Sequence, residues 1–308
     1  MLKKKFHFAI FSFLLFSGTL SAQFITLNEG VVPAGDRTYI SFSQGLGNMR
    51  TPTGIRPLNA IIFEGQLAPS FFVRLGNHSP FGVAFTPKVV LRMYQQPSLP
   101  VKSPSYNPSL MVYQRLNYSF FHWKMFKWFK TEKRVNFLTY KIAHLSNGQA
   151  GRYFTDSTNT AVNLNDGNFS TNYAEIAYSW SAIDSGKVGR AYINGRIAYE
   201  HHFDLDREIG LKNTYYFNKV SIENKLIYSN KFKASITYSI MTGSKQFGVK
   251  HSVDLFLSYR IFPKNSDFSF FIRGYVGPDY YNIYYVNNIR AVTVGILADP
   301  LSIPIFKK

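Results

Sequence analysis

Apolar and polar residues alternate along most of this chain, and Gly, Pro, Asn, Asp and Ser interrupt the alternation at short intervals. A period of two marks strands whose two faces meet different surroundings. The pattern predicts strands near 38–46, 58–66, 69–76, 81–95, 108–119, 134–146, 171–182, 189–203, 212–229, 231–242, 250–262, 267–286 and 288–298. Several reach the roughly 9–11 tilted residues that cross a bilayer as a strand, and no stretch beyond the N-terminus approaches the roughly 18 apolar residues of a spanning helix. No repeat of fixed period is present, which disfavours a propeller or solenoid. The expected fold is all-β, a transmembrane antiparallel β-barrel of about 12 strands, because only closure satisfies every backbone group in lipid. The competing fold is an exported β-sandwich; strand length and the many aromatic residues decide for the barrel.

The first residues have a separate logic. Lys3, Lys4 and Lys5 precede a short apolar run from Phe8 to Phe16, and the small-residue stretch Ser17 to Ala22 follows. This is the pattern of a secretory signal peptide over 1–22, with the transmembrane β-barrel domain over 23–308. Composition agrees with an exported membrane protein. Of 308 residues, 29 are Phe and 21 Tyr, while charged residues make up 17%, against about 25% in ordinary globular chains. The absence of Cys excludes disulfides, thiolate metal sites and a cysteine nucleophile. A formal charge of +18 raises the question of nucleic acid. The basic residues are scattered, however, apart from Trp123–Arg134, where Lys alternates with Trp and Phe. That composition suits an interfacial girdle or a turn against anionic headgroups, so no nucleic-acid partner is expected.

The chemistry concentrates at one strand end. In the strand ending at Ser146, one face carries Leu138, Tyr140, Ile142, His144 and Ser146, and the other Phe137, Thr139, Lys141, Ala143 and Leu145. The lysine-bearing face belongs to the lumen, which leaves His144 and Ser146 together on the lipid side, a costly place for idle polar groups. The polar segment Gln149–Asn168 reads as an external loop. In the next strand Asn172, Ala174, Ile176, Tyr178 and Trp180 share the apolar face, and Tyr173, Glu175, Ala177, Ser179 and Ser181 the polar one. Antiparallel pairing across the loop would bring Ser146, His144 and Asn172 together near a rim. A hydroxyl nucleophile needs a base, and the base needs a group that holds its tautomer.

His144-Leu145-Ser146-Asn147-Gly148 resembles the HxSNG signature of the outer-membrane phospholipase A family. Ser98-Leu99-Pro100-Val101-Lys102, followed by Tyr106-Asn107-Pro108, is similar to that family's upstream S-x-P-F-R and Y-x-P segments. The resemblance implies a 12-stranded barrel that hydrolyses acyl esters of phospholipids in the outer leaflet of the bacterial outer membrane, among lipopolysaccharide. It implies Ser146 as nucleophile, His144 as general base and Asn172 as orienting residue, with Asn168 the nearest substitute for the third role. It also implies Ca²⁺ and a reversible homodimer, with Ser98 contributed from the partner subunit and a backbone carbonyl at Gln149 as metal ligands. Asn168, Ser170, Asp156 and Ser157 are the choices for a further loop ligand. Two differences stand out: the segment between Ser146 and Asn172 is longer than the family's, and Lys102 stands where the pattern has Arg. Calcium takes hard oxygen ligands, which this loop has in excess.

Other features are weaker. His201-His202-Phe203-Asp204-Leu205-Asp206-Arg207-Glu208 offers metal-ligand types, but a turn between hairpin strands explains it as well. Two rival functions remain. One is a lipid A deacylase, also a barrel with a His-x-Ser-Asn run, but with about eight strands and a carboxylate as third member; Glu175 faces the wrong way for that. The other is a non-enzymatic porin or adhesin.

Overall fold

The protein, seen in a computed structural model, is described over residues 22–26, 35–45, 60–74, 80–116, 131–184, 191–203, 209–228, 231–261 and 268–298. The expected signal segment up to residue 21 and the basic-aromatic cluster up to residue 130 lie outside the described residues. One antiparallel sheet contains all the strands among the described residues. They are β1 (Ala22–Thr26), β2 (Thr38–Gly45), β3 (Ile61–Leu67), β4 (Ser70–Arg74), β5 (Phe81–Tyr94), β6 (Ser105–Leu116), β7 (Thr131–Ser146), β8 (Ser170–Asp184), β9 (Ala191–Phe203), β10 (Asn218–Tyr228), β11 (Phe232–Thr242), β12 (Lys250–Tyr259), β13 (Phe268–Pro278) and β14 (Asn288–Ala298). From β5 to β14 each strand pairs with the next, β14 pairs with β2, β2 with β3, and β3 with β5. The sheet therefore closes as a barrel of 12 strands, with no open edge round the ring.

The 13 stretches predicted from the pattern become 12 wall positions for a local reason. β3 pairs with the second half of β5, from Ile61↔Tyr94 to Leu67↔Val89, and β4 with its first half, from Phe71↔Phe85 to Arg74↔Gly82. They form one interrupted strand, broken at Ala68-Pro69, where proline has no N–H for the ladder. β1 lies against β4 as an additional strand.

Two expected strands are shorter than the alternation suggests. The stretch 212–229 begins in a short helix, α1 (Ile209–Thr214), because Leu211 and Tyr215 fall one helical turn apart and both are buried. The stretch 267–286 stops as a strand at Pro278, and Asn282–Val286 forms a 3-10 turn. There the Asp279 carboxylate accepts the Tyr281 N–H at 3.0 Å and turns the chain inward.

The two faces are reversed relative to a soluble protein. Ile40, Phe42, Leu91, Ile142, Leu255, Phe270 and Val294 are exposed on the outside, while Ser41, Glu64, Arg92, Thr139, Glu175, Glu200 and Ser239 are buried inside. This is the outward apolar band of a membrane barrel. Among the described residues no helix is long and apolar enough to span a membrane.

Inside, charges pair between neighbouring strands of the wall. Arg196 meets Glu175 at 2.6 Å and Lys219 meets Glu200 at 3.2 Å. Arg92 bridges Glu64 at 2.6 Å and both oxygens of Asp279 at 2.8 Å, tying the β13–β14 connection to the wall. Charges without water are tolerated only when paired and hydrogen-bonded in this way.

Above them, at the end where β7 finishes and β8 starts, the connections fold into the lumen. Tyr153, Val162 and Phe169 pack with Leu211, Tyr215, Ile283, Tyr284 and Tyr285 against Tyr94 of the wall. α1 can approach because Gly210 has no Cβ; one would lie 2.3 Å from the Tyr153 ring. Below this aromatic plug lies a polar cavity of about 380 Å³, lined by Lys88, Lys141, Glu175 and Arg196 among others.

Arg92→Met would leave the buried Asp279 without its cation and Glu64 with only the longer Arg273 contact at 3.9 Å. The expected outcome is a loss of about 3–5 kcal/mol, the usual cost of breaking a buried ion pair, read as a lower guanidinium midpoint for the refolded barrel.

Candidate active site

β7 and β8 are antiparallel neighbours across the 147–169 connection, in the register His144↔Asn172 and Ser146↔Ser170. Alternation puts His144, Ser146 and Asn172 on the same outward face as the exposed Tyr140, Ile142 and Ile176. His144 Nδ1 lies 2.8 Å from Asn172 Oδ1. A carboxamide oxygen only accepts, so Nδ1 carries the proton and donates it, and Nε2 keeps a lone pair. Ser146 follows two residues later on the same face and is the last residue of β7. Of the two asparagines left open by the sequence, the structure brings Asn172 to His144. Asn168 instead donates its backbone N–H to Gly151 O at 2.8 Å.

The turn after Ser146 is shaped by its two following residues. Asn147 is buried and closes the long loop at its neck: its N–H donates to Phe169 O at 3.0 Å, and its Nδ2 donates to Gly167 O at 2.8 Å. Its Oδ1 accepts the N–H groups of Phe169 at 3.0 Å and Gln149 at 3.2 Å. Sequence reasoning gave Asn147 no role; the Asn-Gly pair at a strand end was the available signal. Gly148 has φ +65°, and a Cβ there would meet Tyr106 Cε2 at 3.3 Å, with Tyr106 held beside the site by its pairing with Ser146. Only glycine suits both demands. Among the described residues the Gly148 N–H has no protein acceptor, unlike those of Asn147 and Gln149. It is a donor without a protein acceptor two residues past the serine.

The residues expected around a metal are more dispersed. Ser98 is exposed in the 95–104 connection, where its carbonyl accepts the Gln96 side chain at 2.6 Å. Gln149 sends its Nε2 to Ser103 Oγ at 2.6 Å rather than to Ser98. Ser103 O in turn accepts Tyr281 Oη at 2.8 Å and Asn282 Nδ2 at 3.1 Å. This chain of bonds joins the neighbourhood of Ser146 to the connection anchored by Arg92. No hydrogen bond joins Ser98, Gln149 and Asn168 to one another among the described residues.

Asp156 is committed to its own turn. Its carboxylate accepts the hydroxyls of Thr160 and Thr158 and the N–H groups of Thr160 and Ala161. The Thr160 hydroxyl, then that of Thr158, holds it well below the usual carboxylate range. Burial lowers the Lys102 ammonium. Among the described residues no group of three or more His, Asp and Glu is arranged to hold a metal. Hydroxyl, carbonyl and amide oxygens at Ser98, Gln149 and Asn168 are donor types that calcium accepts, all of them neutral.

The two histidines at the end of β9 separate. His201 lies on the outer face, whereas His202 is fully buried and bonded to Glu200 Oε1 at 2.8 Å and Thr171 Oγ1 at 3.1 Å. They are the last strand residues before Phe203 rather than turn residues, and the period of two is what parts them. Asp204 to Glu208 lie outside the described residues.

The fold has counterparts among solved structures. The outer membrane phospholipase A of Escherichia coli matches with a TM-score of 0.51 and 15% identity, over 87% of this chain and 91% of that one. A Salmonella typhi outer membrane phospholipase, solved as a dimer with bound calcium, matches with the same score and identity over 94% and 95%. No protein-family model and no curated protein matches the sequence. The likeness is one of fold.

Asn147→Ala removes one donor and one double acceptor from the loop neck. Orphaned buried partners cost about 1–3 kcal/mol. The expected result is much faster proteolytic nicking of 149–168 with little change in the unfolding midpoint of the barrel.

Proposed function

We propose that this protein is an outer-membrane serine esterase of phospholipase A type, acting on acyl esters of glycerophospholipids. The observation that carries the reading is the 2.8 Å bond from His144 Nδ1–H to Asn172 Oδ1 on the lipid-facing wall, with Ser146 two residues along the same face. The match to phospholipase A barrels supports it at the level of fold. Export through the 1–22 segment and residence among outer-membrane lipid and lipopolysaccharide belong to the same reading.

The steps follow from the side chains. Ser146 Oγ attacks the acyl carbonyl as His144 Nε2 takes its proton, and Asn172 keeps the imidazole in the required tautomer. The tetrahedral oxyanion forms within reach of the Gly148 N–H. His144 then delivers the proton to the departing alcohol oxygen, and a water molecule deacylates Ser146 by the same route in reverse. Because the site lies on the outer wall, a phospholipid reaches it sideways from the leaflet.

Calcium, held by the Gln149 carbonyl, Asn168 and Ser98 of a second copy, would add a Lewis acid beside the oxyanion. With neutral ligands only, since Asp156 serves its own turn, its affinity falls in the weak class of about 10⁻⁴–10⁻³ M. A second barrel would dock on the outward face carrying Ala174, Ile176 and Tyr178, giving a reversible homodimer.

Both rival functions fit less well. Twelve strands, and a Glu175 turned inward onto Arg196, weigh against a lipid A deacylase. An aromatic plug in the lumen weighs against a conducting pore.

The deciding measurement is phospholipid hydrolysis by the refolded protein with millimolar calcium. Ser146→Ala and excess chelator are each expected to reduce turnover to background. Ion conductance without hydrolysis would instead favour the pore. Asn172→Ala is expected to lower kcat about tenfold or more, whereas Asn168→Ala should leave kcat at saturating calcium within about twofold and raise the calcium requirement; the reverse pattern would exchange their roles.

A further inference from the structure

The His144–Asn172 arrangement occurs a second time on the outer wall. Two strands further round, His201 on β9 and Asn218 on β10 are cross-strand partners, and His201 Nδ1 lies 2.9 Å from Asn218 Oδ1. The same oxygen accepts the Tyr199 hydroxyl at 2.7 Å. An amide oxygen cannot donate, so the proton sits on Nδ1 and Nε2 is left as an acceptor. Tyr199 stacks on the imidazole at 6.5 Å and 23°, and Phe203 meets it edge-on at 5.7 Å and 77°. Phe203 stands where Ser146 stands in the first pair, two residues past the histidine, so this copy has no nucleophile.

Its position narrows its task. Phe203 ends β9 and is the cross-strand neighbour of Asn172, and His201 is the neighbour of Ala174. The cluster therefore borders the candidate active site at the edge of the apolar band, where headgroups lie. A neutral nitrogen acceptor flanked by aromatic rings suits a cation that carries N–H bonds: the nitrogen accepts a proton donor and the rings attract the charge. A phosphate would need donors that this tautomer does not offer, and a hydroxyl headgroup brings no charge for the rings.

We propose that Tyr199, His201 and Phe203 form a subsite for the primary ammonium headgroup of a phospholipid, held in shape by Asn218. The subsite deepens the lipid-esterase reading by adding a headgroup preference. Its test reads binding to a chain without the nucleophile, so the two can fail independently.

The experiment is native mass spectrometry of the refolded barrel carrying Ser146→Ala, in detergent doped with equal amounts of phosphatidylethanolamine and phosphatidylglycerol. The expected result is a preference of about threefold for the ethanolamine lipid, the size of an exposed cation–π contact. It should fall below about twofold on adding His201→Phe, which removes the acceptor while the rings go on attracting the charge. Equal binding in the parent would overturn the proposal, as would a preference left undiminished by both His201→Phe and Asn218→Leu. Phosphatidylcholine bound as tightly as the ethanolamine lipid would overturn the role of the His201 acceptor, since its headgroup carries the charge without the N–H.

Discussion

A hydrogen-bond ladder that runs round twelve strands without an edge is the constraint on which everything else rests. In lipid a backbone amide has no water to turn to, so the wall must close on itself, and closure leaves each side chain two choices, in or out. Apolar residues such as Phe42, Ile142 and Phe270 take the outside, and the charges take the inside. Burial makes a solitary ion costly on that side, and Arg92, Arg196 and Lys219 each meet a carboxylate there.

The same constraint sets the character of the candidate site. A polar constellation on the lipid side of a wall is supported from behind by the lumen side of the same strands. Thr171, next to Asn172, is bonded to the buried His202, and His202 to Glu200. Glu175, between the outward Ala174 and Ile176, is gripped by Arg196. Leu145, between His144 and Ser146, packs against the aromatic plug. Each outward polar residue thus has inward neighbours whose contacts fix the strand, an arrangement that keeps a surface site in one geometry. The loop neck at Asn147 and the bonds through Gln149 and Ser103 extend that support beyond the strand ends.

Much of this was legible in the sequence because a strand's face assignment is a local property. The period of two alone put His144 and Ser146 on one face of β7 and Asn172 on the matching face of β8, and it placed Lys141 and Glu175 inside. It read the ends of β13 and β10 less well, because Tyr281–Tyr285 and Leu211–Tyr215 are as apolar as strand residues. Their local turns are held by partners distant in the chain, Arg92 on Asp279 and the aromatic plug on Leu211 and Tyr215. The role of Asn147 was likewise hidden, since its bonds go to Gly167 and Phe169 across a loop.

The amino-acid sequence by itself determined the class of fold, the strands and the side of the wall on which each residue stands, because alternation needs only near neighbours. Register, and with it the pairing of His144 with Asn172 rather than Asn168, was decided by the tertiary structure. So were the closing of the lumen and the bridge from Arg92 to Asp279, 187 residues away. Such contacts depend on which segments the closed ring brings together, and no local pattern carries that information.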